Sequence, residues 1–183
     1  MKLSILIASV PNRMKTFNVI EDLCKQAEGK EVEILYLGDN FRLKVGRKRN
    51  QLIALSTGEY VCFVDDDDRV ESTYVDDILK AIEENDVDCI NFHASVSIDG
   101  NAPMMCKYSK ELKNENLPTM YLRQPNHLMV WRKSIIEWFP EINVGEDNHF
   151  GAKMAAKNYT EHNIDKILYH YDFNSQTTEA QKR

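Results

Sequence analysis

Four consecutive carboxylates, Asp65, Asp66, Asp67 and Asp68, follow directly on the apolar stretch Tyr60-Val61-Cys62-Phe63-Val64. Charges packed this closely repel one another unless a cation sits among them. Carboxylate oxygen shared with phosphate oxygen is what Mg2+ and Mn2+ prefer as ligands. The run could therefore hold a divalent ion against a phosphate group, or it could be a solvated acidic turn. A second acidic pair, Glu146-Asp147, follows Gly145 far down the chain. It could take a proton from a hydroxyl, although acids at a helix start are also favoured by the macrodipole. Arg47, Lys48 and Arg49 lie upstream of the aspartate run and could offset phosphate charge.

The elements that must position these groups follow from pattern. Residues 2–9 carry Leu3, Ile5, Leu6 and Ile7 as an almost continuous apolar run, which reads as a buried strand. Phe17, Ile20, Leu23, Cys24 and Ala27 recur at helical spacing and Gly29 ends that helix. Residues 31–37 read as a second strand, closing a βαβ unit with parallel strands. A basic segment over 41–50 enters a helix ended by Gly58, and the acidic strand follows. Ser72 is placed to cap the next helix, and residues 87–98 read as a strand. Asp99-Gly100 signals a tight hairpin, with a return strand over 102–108. Residues 109–125 read as a polar, irregular loop. Residues 127–131 read as a strand, 134–139 as a short helix in which Trp138 packs in the core, and the segment from Gly145 as a helix with Phe150 and Met154 inward. Residues 164–173 form a last strand. The expectation is one domain over 1–174 with a frayed tail over 175–183.

Strand ends gathered on one sheet edge make a cleft, and ligands of open α/β sheets bind beyond the carboxyl ends of the strands. Here those ends carry Ser9 with Asn12 and Arg13, Asp39 with Asn40, and the aspartate run. No G-x-x-x-x-G-K-[ST] or G-x-G-x-x-G loop is present, so a P-loop ATPase and a dinucleotide dehydrogenase are poor readings. The 183 residues carry 29 Asp and Glu against 23 Lys and Arg, a formal net charge of -6, which argues against a general affinity for nucleic acid. Of the four cysteines, Cys24, Cys62 and Cys89 sit among apolar neighbours and read as small buried hydrophobes; none forms a C-x-x-C motif with Cys106 or with one another. Residues 1–10 lack a signal-peptide cleavage site and no stretch approaches 18 apolar residues, which sets the expectation of a cytoplasmic protein.

The order of these motifs resembles the family-2 glycosyltransferases of the GT-A fold. The carriers are Ser4 to Arg13 as the opening strand and turn, Asp39, Arg49-Asn50, Ala54, Gly58-Glu59-Tyr60, the aspartate run in place of D-x-D, and Glu146-Asp147. Val10-Pro11-Asn12 departs from the family's usual proline before tyrosine-asparagine. The resemblance implies an α/β, GT-A-like (Rossmann-like) mixed, mainly parallel sheet flanked by helices. It implies a metal-dependent inverting transfer of sugar from a nucleotide sugar, a UDP-sugar foremost, to a hydroxyl. Asp147, paired with Glu146, would be the base. Ser9, Arg13, Asp39, Arg49, Asn50, Asp65 and Asp66 would bind the nucleotide sugar. Asp67 and Asp68, with His170, would hold Mn2+ or Mg2+, the register within the run staying open by one residue. The acceptor is not written in the motifs; the basic stretch keeps a hydroxymethylated base of viral DNA in view. A nucleotidyltransferase and a non-catalytic nucleotide-binding module are the competing classes.

Overall fold

In the computed structural model, which describes residues 1–10 and 15–175, the apolar opening run forms β1 (Leu3–Ser9). Leu3, Ile5, Leu6 and Ile7 are fully buried because β1 is flanked on both sides. α1 (Lys15–Ala27) leads to β2 (Val32–Gly38), and α2 (Val45–Leu55) leads to β3 (Tyr60–Phe63). β2 and β3 both pair with β1 in parallel. The two-residue β4 (Arg69–Val70) and then α3 (Tyr74–Glu84) follow the aspartate run. Thr73, not Ser72, occupies the cap position of α3, and its hydroxyl bonds Asp77 rather than a backbone amide.

β5 (Cys89–Ile98) and β6 (Met104–Tyr108) form the expected hairpin, with Asp99 at φ 51° and Gly100 at φ 76°. Positive φ at both central residues is the turn that matches strand twist, and Asp-Gly tolerates it. Residues 109–125 are not wholly irregular. They carry β7 (Glu115–Asn116) and β8 (Met120–Arg123), which pair with each other, while β8 also runs parallel to β6. β9 (Val130–Arg132) is shorter than expected and bridges β3 to β5. Residues 134–139 are not a helix: one 3-10 turn, Lys133–Ile135, gives way to extended chain. α4 (Glu146–Ala155) then crosses to β10 (Glu161–Phe173), which pairs along β5 in parallel and with β4 antiparallel.

The sheet is mixed and, by paired residues, mainly parallel: seven positions in β1–β2, four in β1–β3 and nine in β5–β10, against two or three in each antiparallel pairing. Helices flank it, α1 packing beside α3 and α2 beside α4. The second pair fixes the cleft. Phe150 and Met154 of α4 are fully buried at i, i+4 spacing, and Phe150 stacks on Phe139 at 4.3 Å. Trp131 is fully buried and meets Phe150 and Tyr159 edge-on. Trp138, expected in the core, is 53% exposed, because the extended segment turns it outward. Cys24 is exposed as well, while Cys62, Cys89 and Cys106 are buried. The tail after residue 175 and Arg13 lie outside the described residues.

Candidate active site

The aspartate run begins where β3 stops bonding to its neighbours. The Val64 amide makes a last bond to the Leu6 carbonyl at 3.1 Å, and the chain then leaves the sheet edge with its acids. Each acid is held differently. The Asp65 amide donates to the Tyr169 hydroxyl at 2.9 Å, and that hydroxyl donates to Asp68 at 2.7 Å. Asp68 also accepts the Asp172 amide at 3.3 Å. Asp66 accepts from the Ser9 hydroxyl at 2.5 Å, tying the run to the end of β1. Tyr169 of β10 therefore sets the backbone of the run, and Ser9 sets one of its side chains.

Two cations of α2 enter this cluster from below. Lys48, Arg49, Leu52 and Ile53 share the buried face of α2 at i, i+4 spacing. Lys48 is 1% exposed and donates to the Ser9 carbonyl at 2.6 Å and to Asp39 at 2.8 Å. Asp39 further accepts the Arg42 and Leu43 amides, each at 2.6 Å. Burial would raise the Asp39 carboxyl, but Lys48 and these amides hold it below its ordinary value. Arg49 donates to Asp65 at 2.9 Å and approaches Glu146 at 3.6 Å. Its guanidinium lies 4.9 Å from the centre of the Phe63 ring and 5.5 Å from that of Phe139. Arg42, Lys44 and Arg47 point outward, so the basic stretch of the sequence is split between site and surface.

Electrostatics divides the acids. For Asp65 burial works upward, but Arg49 and then His127, 3.3 Å away, hold the carboxyl below the usual carboxylate range. Asp68 is pushed well above that range by burial and then by Asp65 and Asp67. Its named hydrogen-bond partners, a tyrosine hydroxyl and an amide, are neutral. Glu146 is raised by burial, with Asp147 adding to the rise and Arg49 opposing it.

These residues enclose a cleft of about 170 Å3, lined by Ser9, Lys48, Arg49, all four aspartates of the run, Glu146 and Tyr171. A second cavity of about 390 Å3 holds Asp147, His127 and Asn148. Asp65 and Tyr171 line both, so the two spaces meet at those side chains. Asp147 comes one turn before Phe150 and Gly151 on α4, and the burial of Phe150 turns that face of the helix inward.

Among the described residues Asp39 lines neither cavity and is tied to the cleft only through Lys48, and two further expected site residues are not brought in. Asn50 exchanges both of its amide bonds with the Phe139 backbone, at 2.9 and 2.8 Å, and so anchors the extended segment 138–144 to α2. His170 sits 2.6 Å from Glu71, on the side of β10 away from Tyr169 and Tyr171, and does not line the cleft. Sequence reasoning singled out Lys48 only as a phosphate candidate and left out Tyr169, Tyr171 and Asp172. A signal existed for the lysine and the tyrosines. Lys48 stands four residues before Leu52 on the apolar face, and the two tyrosines alternate along a strand.

No helix among the described residues is long and apolar enough to cross a membrane. The family described as Glycosyl transferase family 2 matches residues 12–137, more than half of the chain. No curated protein matches. Among solved structures, the S. aureus TarS fragment 1–349 superposes with a TM-score of 0.68 at 18% identity, covering 94% of this chain and 60% of that one. The same fragment in complex with UDP-GlcNAc gives 0.66 at 17% identity, covering 94% and 58%. In complex with UDP it gives 0.68 at 17% identity, covering 94% and 60%. This chain thus spans about 60% of the length of the TarS fragment it resembles.

Proposed function

The chain belongs to glycosyl transferase family 2, and from that premise we propose that it transfers a sugar from a UDP-sugar to a hydroxyl with inversion, using a divalent ion, within one unit over residues 1–174. One observation carries the reading: the aspartate run and Asp147, 79 positions after Asp68, open onto spaces that meet at Asp65 and Tyr171. Solved TarS complexes hold UDP and UDP-GlcNAc, which favours a uridine nucleotide here.

The division of labour follows from the contacts. Lys48 holds Asp39 and the end of β1 in place, leaving Asp39 as a charged acceptor for base or ribose hydroxyls. Arg49 and His127 keep Asp65 ionised, so that it can accept a hydrogen bond from the sugar-nucleotide. Asp147 accepts the proton of the acceptor hydroxyl. The oxygen then attacks the anomeric carbon from the face opposite the diphosphate, the carbon–oxygen bond to the diphosphate breaks, and UDP leaves with that electron pair. A single displacement inverts the centre.

The residues fit a hard divalent ion, Mn2+ or Mg2+. No group of three His, Cys, Asp or Glu converges as a closed metal site among the described residues. An ion of this class keeps one or two carboxylates and completes its shell with phosphate oxygens and water. Asp67 and Asp68 are the carboxylates proposed to hold it. Asp68 is buried beside other acids with neutral partners, the situation that a cation relieves. Bound there, the ion would offset charge developing on the leaving diphosphate.

The test incubates the protein with UDP-sugars and MnCl2. Release of UDP supports transfer chemistry, whereas pyrophosphate release from UTP plus a sugar phosphate would replace it with nucleotidyl transfer. Calorimetry of the Asp67→Ala/Asp68→Ala variant is expected to show no manganese-dependent UDP binding; unchanged binding would remove the ion from this place.

A further inference from the structure

The cavity beside Asp147 has a composition of its own, and we infer that it takes an uncharged carbohydrate, a sugar or polyol that presents one hydroxyl to Asp147. The inference rests on the transfer reading above and names the acceptor class. At about 390 Å3 the cavity is within the range of small-molecule sites. Its polar wall consists largely of neutral amides: Asn114, Gln124, Asn126 and Asn148. An amide side chain offers both donors and an acceptor, the pairing that hydroxyl groups need, since each hydroxyl both gives and takes. Asn114 and Asn126 spend their oxygens on the Gln124 and Leu128 amides, which fixes the loop; the Asn126 NH2 is shared with the Tyr108 hydroxyl, and the Asn114 NH2 remains as a donor. Gln124 and Asn148 make no side-chain hydrogen bond among the described residues. Tyr108 and Tyr171 add ring surface, suited to the apolar face of a pyranose.

The charges point the same way. Arg123 is the one lysine or arginine among the described lining residues, and it is already engaged, while His127 is turned to Asp65 at 3.3 Å. Its Nη1 donates to the Glu115 and Leu122 carbonyls at 2.9 and 2.8 Å, and its Nη2 donates to Asn116 at 2.7 Å. The guanidinium also lies 5.3 Å from the centre of the Tyr121 ring. Phosphate recognition uses an uncommitted fork of donors. Here a phosphate would meet the carboxylates of Asp65 and Asp147 with no such fork to receive it. A neutral polyol meets neither penalty.

The experiment measures UDP release by the full chain from UDP-glucose, UDP-galactose and UDP-N-acetylglucosamine with MnCl2. It is run alone and then with methyl glycosides, disaccharides or ribitol, and in parallel with glucose 6-phosphate, ribitol 5-phosphate or short single-stranded DNA. The expected result is a several-fold rise over donor hydrolysis with at least one neutral compound and none with the charged set. A rise confined to the phosphate-bearing compounds or DNA, or no rise with any neutral compound while donor hydrolysis proceeds, overturns the inference but leaves the transfer reading. No UDP release under any condition overturns both. Gly151→Leu supplies an independent check. A side chain at Gly151 starts at ordinary contact distance, 3.8 Å from the Pro125 carbonyl oxygen, and grows into the cavity. Acceptor KM is expected to rise with UDP affinity retained; an unchanged acceptor KM places the acceptor elsewhere.

Discussion

Replacing Arg49 by methionine removes the cation shared by half-buried Asp65 and buried Glu146 while keeping much of the volume between Phe63 and Phe139. In the wild type, Arg49 is 5% exposed, 2.9 Å from Asp65 and 3.6 Å from Glu146. Removing one partner of a buried ion pair costs about 3–5 kcal/mol, chiefly by stranding the other charge. For a chain of this size each kcal/mol lowers Tm by roughly 2–4 °C, so a fall on the order of 10 °C is expected at neutral pH. The pH dependence is the sharper test. The folded Asp65 carboxyl lies below its ordinary value, so its stabilising contribution is present above the unfolded pKa of about 3.9 and is lost as pH falls through the folded value. Without Arg49 both carboxyls rise relative to the wild type, Glu146 under burial and Asp65 with His127 as its remaining counter-charge. The variant is then weakest relative to wild type near neutral pH, and the gap narrows as the stranded acids protonate on acidification. Urea unfolding followed by tryptophan fluorescence reads this gap, and adding Asp65→Asn to Arg49→Met should recover part of the loss. A loss under about 1 kcal/mol at neutral pH, or a gap that does not change with pH, refutes the assignment of Arg49 as the shared counter-charge.

Two further outcomes test the packing around the site. Gly46→Ala drives a Cβ into the Pro140 carbonyl oxygen, in the contact that seats segment 138–144 on α2; a loss of about 1–3 kcal/mol in urea unfolding is expected, and unchanged stability contradicts the close approach. Burial pushes the Cys62 thiol up to about 12 and raises those of Cys89 and Cys106, while Cys24 is exposed. A thiol reagent on the native protein should therefore modify Cys24 rapidly and the other three only after unfolding. Fast modification of a second cysteine contradicts the burial.

The local signals that were legible in the sequence are those whose cause is local. The apolar run of β1, the Asp99-Gly100 turn and the Gly145 start of α4 each carry their own stereochemistry. The aspartate run was legible because four adjacent charges demand an explanation wherever they fall. What stayed hidden depends on partners far along the chain. β7 is two polar residues and β8 only four residues long; their pairing with each other, that of β8 with β6, and the bonds of Arg123 make them strands. Residues 134–139 look helical by composition, but Asn50 claims the Phe139 amide and carbonyl and Pro140 follows, so the chain is held extended. Trp138 is exposed for the same reason. Arg49-Asn50 reads as one motif, yet the helix separates the pair: Arg49 turns into the cleft and Asn50 toward the segment that closes over α2. His170 alternates with Tyr169 and Tyr171, and their inward contacts leave it facing Glu71.

Nucleotide binding at the aspartate run and proton acceptance at Asp147 can be separated in one variant. Asp147→Asn keeps the shape of the side chain and removes its basicity. UDP release from a UDP-sugar with MnCl2, measured beside calorimetric UDP affinity, is expected to slow by about 10²–10⁴-fold while affinity stays unchanged. Wild-type turnover in that variant would contradict the account at its base.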